Sequence, residues 1–215
     1  MHRLSRRLKK ETKSEHRLAE ATRFAKAFFR GQFNRRTYAR GLALFEPVYA
    51  ALENALQSDE ALRPFWGEAH LRAPAIRTDL ARFGPRLDTV PSAYSRRINA
   101  VASDDPLRTL GHFYVRYFAD LSGVARVAPM AHRLLRIDRR EPMAFFSFPK
   151  ITDMRAYKNG LRALLDGVPE EAHERVLDEA RRSFELHRQL VDQLFETLKQ
   201  DEVTAHALES GPPPS

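Results

Sequence analysis

The residues with the most chemical potential fall on one stretch, Phe113 to Arg126. Asp120 is bracketed there by two small residues, Ala119 and Gly123. Four positions apart on a helix, Ala119 and Gly123 share a face and make a shallow strip with Asp120 on its border. A mid-helix glycine costs about 1 kcal/mol relative to alanine, so it needs a reason. The strip suits either a flat group laid on the backbone or a close contact with another helix, and this segment alone favours the helix contact. A second pair is His16 and Glu20. At i and i+4, the carboxylate can accept one imidazole N–H and leave the other nitrogen for a metal. The plain alternative is a surface histidine beside an acid. His187 lies on an apolar stripe, where a buried, hydrogen-bonded imidazole is expected. His112 and His132 flank the strip without the spacing of a two-histidine zinc motif. There is no glycine-rich phosphate loop and no Gly-x-Ser-x-Gly elbow, and Asp104-Asp105 reads as turn and cap. Nothing supports a classical hydrolase or kinase.

The elements that carry these residues are helical. A helix is expected over residues 4–29, with Leu4, Leu8, Phe24 and Phe28 apolar and Gly31 as its stop. A second follows over 35–57, where Pro47 should introduce a kink. Four prolines break 60–91 into short pieces, and 92–102 forms another short helix. The strip belongs to a long helix over 106–137, with Pro129 as a kink near its end. Residues 138–150 are irregular and include the cluster Phe145-Phe146-Ser147-Phe148-Pro149. Helices over 152–166, ended by Gly167, and over 170–199 complete the chain. The last carries Val176, Ala180, Phe184, His187, Val191, Leu194 and Leu198 at steps of three and four. No strand-like alternation of useful length occurs, so the fold class is all-α, a single-domain helical bundle. It spans residues 1–202, with 203–215, ending Gly211-Pro-Pro-Pro-Ser215, as a disordered tail.

Composition sets the bounds. The 215 residues suit one domain with a sizeable core. With no cysteine, disulfides, thiolate ligands and thiol nucleophiles are excluded. No apolar run reaches the ~20 residues of a membrane span. The basic N-terminus lacks the apolar region of a secretory signal, so a cytoplasmic protein is expected. The net charge of +8 points to nucleic acid, an acidic protein or an anionic small ligand. Basic and acidic residues alternate, as in Glu170 to Arg182, which speaks against nucleic acid and reads as a solvated helix face.

Taken together, the order of these features resembles the heme oxygenase family. The first anchor is Leu4-Ser-x-x-Leu8-Lys9-x-x-Thr12-Lys-x-x-His16-x-x-Ala-Glu20, similar to the family's proximal-ligand helix. The second is Tyr114-x-Arg116-Tyr117-x-x-Asp120-Leu-Ser-Gly123, similar to its distal helix. Tyr49-x-Ala-Leu-Glu53, Phe145-Phe-x-Phe-Pro149, Lys158-x-x-x-Arg162 and Glu179-Ala-x-x-x-Phe184 follow in the same order. The resemblance runs from about Leu4 to Leu198.

It implies an all-α fold holding heme between the first helix and the distal helix. His16 is then the iron ligand, supported by Glu20, and Gly123 lets the distal helix approach the other heme face beside Ala119. Asp120 is the acid that organises distal water and steers protons. Lys9, Lys158 and Arg162 meet the two propionates, with Tyr114 as a hydroxyl donor, and so fix orientation and the biliverdin isomer. Phe184, with Phe146 and Val191, lines the apolar part. The implied reaction takes heme, O2 and electrons to biliverdin, CO and ferrous iron. The electrons come from a ferredoxin or a flavoprotein reductase, for which a basic surface is a fitting dock.

The chain departs from the family where Ala119 and Val124 replace glycines, where a glutamine is absent after Val124, and where His187 replaces an asparagine. The side chains at 119 and 124 are expected to restrict how closely helix and heme approach. The alternative is a heme-binding, sensing or storage protein of the same fold with weak or no turnover. A cofactor-free helical interaction protein is a third reading. The persistence of His16 and Asp120 favours the enzyme.

Overall fold

A computed structural model describes residues 3–83, 89–138 and 140–209. Among these residues nine α-helices and four short 3-10 turns form the fold, and no strand occurs. The helices are α1 (Leu4–Glu11), α2 (Lys13–Glu20), α3 (Arg23–Phe29), α4 (Arg35–Ser58), α5 (Ala73–Phe83), α6 (Ala93–Asp104), α7 (Thr109–Leu135), α8 (Met154–Asp166) and α9 (His173–Glu209).

The helix expected over 4–29 is three helices. At Thr12 the side-chain hydroxyl donates back to the Leu8 carbonyl at 2.7 Å, and the backbone leaves helical geometry. At Thr22 the hydroxyl accepts from Ala25 N at 3.3 Å and starts α3 as an N-cap. Gly31 ends α3 with φ +85°, the left-handed stop expected of it. Asn34, Ser92 and Asp153 cap α4, α6 and α8 in the same way as Thr22. α4 and α7 run on through Pro47 and Pro129. The final helix continues to Glu209, beyond residue 203 where the tail was expected to begin. Glu202, Ala205, Ala207 and Leu208 are good helix formers, and Gly211 with its prolines lies beyond them. Residues 210–215 of that tail, and the Leu198 side chain, lie outside what is described.

One core joins the bundle. Tyr49, Leu52 and Leu56 of α4 meet Leu110, Phe113 and Tyr117 of α7, and Val176, Leu177 and Ala180 of α9; all nine are fully buried. α7 and α9 approach closely at Gly111. A Cβ there would stand 2.6 Å from Ala180 N and 2.7 Å from the Val176 carbonyl, both backbone atoms. Next to this crossing Glu179, 1% exposed, accepts from Arg97 at 2.7 and 2.9 Å and from Arg108 at 2.8 Å, and lies 3.0 Å from His112 Nε2. These partners hold its carboxyl well below the usual range despite burial.

The irregular segment around Phe145 is fixed through its backbone. Asp79 accepts from Ala144 N at 2.8 Å and Phe145 N at 2.9 Å, and Tyr38 donates to the same carboxylate at 2.6 Å. Arg72 donates to the carbonyls of Phe145 at 2.8 Å and Ser147 at 2.9 Å. The guanidinium also stacks 3.8 Å over the Phe148 ring.

Candidate heme site

α2 and α7 are the two walls of a cleft of about 1120 Å³. His16 and Glu20 line one side, and Tyr114, Ala119, Ser122 and Gly123 line the other; Phe184 and His187 of α9 close the end. The His16 side chain is 55% exposed, although α2 belongs to a packed bundle. Its Nδ1 lies 3.5 Å from Glu20 Oε2, which leaves Nε2 free, and its ring meets Phe184 edge-on at 6.0 Å. Arg126 of α7 reaches across to Glu20 at 3.7 Å.

Gly123 decides between the two uses of the strip. A Cβ built there would meet only Val127 Cγ2 at 3.9 Å, so the position opens onto the cleft. The helix contact that the segment alone favoured is therefore not made at Gly123; it is made at Gly111, which the sequence reading passed over. A second, largely apolar cavity of about 520 Å³ adjoins the cleft on the far side of the strip. Ala119, Gly123, Arg116 and His187 border both spaces, whereas Val124, Asp120, Phe146 and Val191 border only the second. The isopropyl group of Val124 therefore enters the apolar cavity rather than the cleft that holds His16.

Asp120 belongs to a network built by three helices. Tyr49 of α4 donates to Asp120 Oδ2 at 2.5 Å. Arg116, one turn before Asp120, donates to the Tyr49 oxygen at 2.6 and 3.2 Å and lies 3.4 Å from Asp120 Oδ1. An arginine can only donate, so it turns the tyrosine proton toward Asp120. Burial raises the carboxyl of Asp120, while Arg116, the Tyr49 hydroxyl and Arg72 pull it down; burial prevails. His187 Nδ1 accepts from Arg116 at 3.0 Å. Burial first, and then the Arg116 charge, lower its pKa to about 3.

Lys9 and Arg162 border the cleft, and Tyr114 leans on Thr12 there. Arg162 spreads over Phe118 at 5.6 Å and bonds Asn159 at 2.7 Å. Lys158 does not border the cleft: its Nζ is 3.3 Å from the hydroxyl of Ser122, which does. The sequence reading missed Arg6, Lys10, Lys13, Arg17 and Arg126, which ring the same opening. The signal for the first four was the basic run from Arg3 to Arg17, which needed α7, with Arg126, opposite before it became a rim. It also missed Tyr49 and Arg116 as partners of Asp120, although Arg116 at i−4 was readable. Among the described residues no cluster of three metal-binding side chains occurs, so any metal held by His16 must bring its other ligands with it. A flat, anionic group meets these requirements, with one free imidazole nitrogen, one open strip and a cationic rim.

Known proteins resemble this chain over most of its length. The family model described as Heme oxygenase matches residues 2–193. Heme oxygenase 1 of Homo sapiens is 31% identical over 212 residues, covering 92% of this chain and 74% of that protein. Heme oxygenase 1 of Nostoc sp. is 27% identical over 204 residues, covering 89% and 85%. The crystal structure of heme oxygenase-1 from Synechocystis sp. PCC6803 in complex with heme superposes with a TM-score of 0.86 at 25% identity, covering 97% of this chain and 99% of that one. Heme oxygenase from Leptospira interrogans gives 0.81 at 29% identity, covering 88% and 98%. The chain belongs to the heme oxygenase family.

Proposed function

We propose that this chain degrades heme in the cleft between α2 and α7, using O2 and external electrons to give biliverdin, CO and ferrous iron. The observation that carries the reading is the open strip at Gly123 bordering the same cleft as His16. Bound heme supplies the iron that activates O2 and is itself the substrate oxidised.

The chain's own groups then have distinct tasks. His16 would hold the iron through Nε2, with Nδ1 turned to Glu20. Ala119 and Gly123 would let the α7 backbone lie against the heme. Lys9 and Arg162 attract the propionates and set which edge of the macrocycle faces Asp120, and the Tyr114 hydroxyl assists. Asp120 holds and passes protons from the adjoining cavity, which meets the cleft along Ala119 and Gly123: Tyr49 occupies Oδ2, and Oδ1 stays available to water beyond its long contact with Arg116. Phe184 and the neighbouring apolar surface exclude bulk water from the His16 side.

The cationic rim and the net charge of +8 suit an acidic electron donor, a ferredoxin or a flavoprotein reductase. No helix among the described residues is long and apolar enough to cross a membrane. A cytoplasmic setting suits a protein that depends on such a donor.

The test is direct. Purified protein mixed with heme develops a histidine-ligated Soret band, and reductant in air with catalase present converts it to biliverdin. His16→Ala removes the axial ligand. Asp120→Ala keeps heme binding and loses turnover. Heme that stays intact in the wild-type protein under these conditions refutes the reading.

A further inference from the structure

His187 is the α9 member of the Asp120 network, but that network uses only one of its two ring nitrogens. It lies on α9, is partly buried, and borders both the cleft and the apolar cavity. Its Nδ1 is 3.0 Å from Arg116 Nη1. A guanidinium has five N–H groups and no acceptor, so the imidazole must accept there. The single proton of the neutral ring is then on Nε2.

Arg116 is not free to turn away. It is 6% exposed, donates twice to Tyr49, and lies over the rings of Phe45 at 4.7 Å and Tyr49 at 5.2 Å. Phe45 also packs on the imidazole at 5.7 Å and 37°. The ring of His187 is thus held in plane by Phe45 and in tautomer by Arg116. Its Nε2 finds no hydrogen-bond partner among the described residues and is not sealed in the interior. It is a fixed donor that opens on the two spaces flanking the strip.

We propose that Arg116 locks His187 as an Nε2–H donor to a diatomic ligand on the open face of the bound heme, and thereby bars His187 from binding the iron itself. The proposal rests on the heme reading above. A nitrogen that carries a proton has no lone pair for a metal, whereas the opposite tautomer would make Nε2 a ready second axial ligand and close the site to O2. The neutral state fits the depressed pKa of the ring, which burial and the Arg116 charge both favour. His187 is thereby a group that discriminates among ligands at the open face, distinct from Asp120, which accepts rather than donates while ionised.

The experiment has two independent arms. In the heme-free chain, 15N NMR of the histidine side chains reads the tautomer directly. The Nε2–H form of His187 is expected in the wild type, and an Nδ1–H form overturns the lock whether or not heme binds. In the ferrous CO complex of the full chain, His187→Leu is expected to raise the C–O stretching frequency and to speed O2 dissociation by up to about tenfold, the net worth of one hydrogen bond. An unchanged stretch with unchanged dissociation overturns the donor role. Arg116→Met is expected to give a low-spin, two-histidine spectrum that reverts in the Arg116→Met, His187→Leu double variant. A wild-type-like high-spin spectrum in folded Arg116→Met overturns the barring role. If that variant does not fold, the NMR arm and His187→Leu still decide. Absence of any heme spectrum in the wild type would instead count against the heme reading, while the NMR arm still decides the lock.

Discussion

Two glycines on α7 make opposite predictions for the same substitution. At Gly123 the added methyl meets only Val127 Cγ2, at 3.9 Å, an ordinary contact. The helix gains the propensity difference between alanine and glycine, about 1 kcal/mol, with no steric cost in the heme-free chain. For a chain of this size that is a rise in melting temperature of about 2–4 °C. At Gly111 the same methyl stands 2.6 Å from Ala180 N, 2.7 Å from the Val176 carbonyl oxygen and 2.9 Å from the Glu179 carbonyl carbon. All three atoms are backbone in α9, so the two helices must part by most of an ångström. Overpacking of that kind costs about 1–3 kcal/mol or more, which outweighs the propensity gain. Thermal unfolding of the heme-free proteins, followed by circular dichroism, should therefore rise for Gly123→Ala and fall for Gly111→Ala. Titration with heme should show the reverse ranking for Gly123→Ala, with affinity weakened about tenfold or more because the methyl now occupies the strip. A Gly123→Ala protein that melts below wild type, or binds heme as tightly as wild type, would refute the assignment of this strip to a flat ligand.

Other consequences are open to measurement. Asp120→Asn keeps shape and removes the charge; heme binding should persist while biliverdin formation falls on the order of 10²-fold or more, as expected for loss of a proton-transfer group. Glu179→Gln should cost about 1–3 kcal/mol near neutral pH, because it removes the charge of a buried carboxylate whose paired arginines keep part of their hydration. The folded pKa of Glu179 is depressed, so its contribution is fully present above the ordinary carboxylate value and drains away as pH falls toward the folded one. Denaturant midpoints of wild type and Glu179→Gln should accordingly converge below about pH 4.5. Salt should slow reduction by an acidic donor through the ring of Arg6, Lys9, Lys10, Lys13 and Arg17, since screening at 0.1 M acts over about 10 Å. Donor reduction rates independent of ionic strength would argue for another docking face.

How far the chain could be read without its structure depends on how local each feature is. His16 with Glu20, and Ala119 with Gly123, are pairs within one helix, and helical spacing alone placed them. Asp120 was visible, but the tyrosine that binds it is 71 positions away on α4. No periodicity links Tyr49 to Asp120 without the packing of α4 on α7. The same limit explains the glycines: spacing shows that Gly111 and Gly123 are small, but which of them meets α9 depends on where two helix axes cross. The breaks at Thr12 and Thr22 were missed because an apolar pattern continued past them, while two hydroxyls redirected the backbone locally. Lys158 was placed at the propionates by the family resemblance, yet on α8 its ammonium lies 3.3 Å from the Ser122 hydroxyl and does not border the cleft.

The segment around Phe145 carries a different implication. Asp79 and Arg72 grip its amides and carbonyls, leaving the side chains of Phe145 and Phe146 to form the cavity wall. Position is thus set largely by main-chain bonds that any residue but proline can make, while shape is set by side chains. Substitutions at 145 and 146 can remould the cavity without moving its wall, which makes this short stretch the place where drift or selection can retune the pocket in single steps.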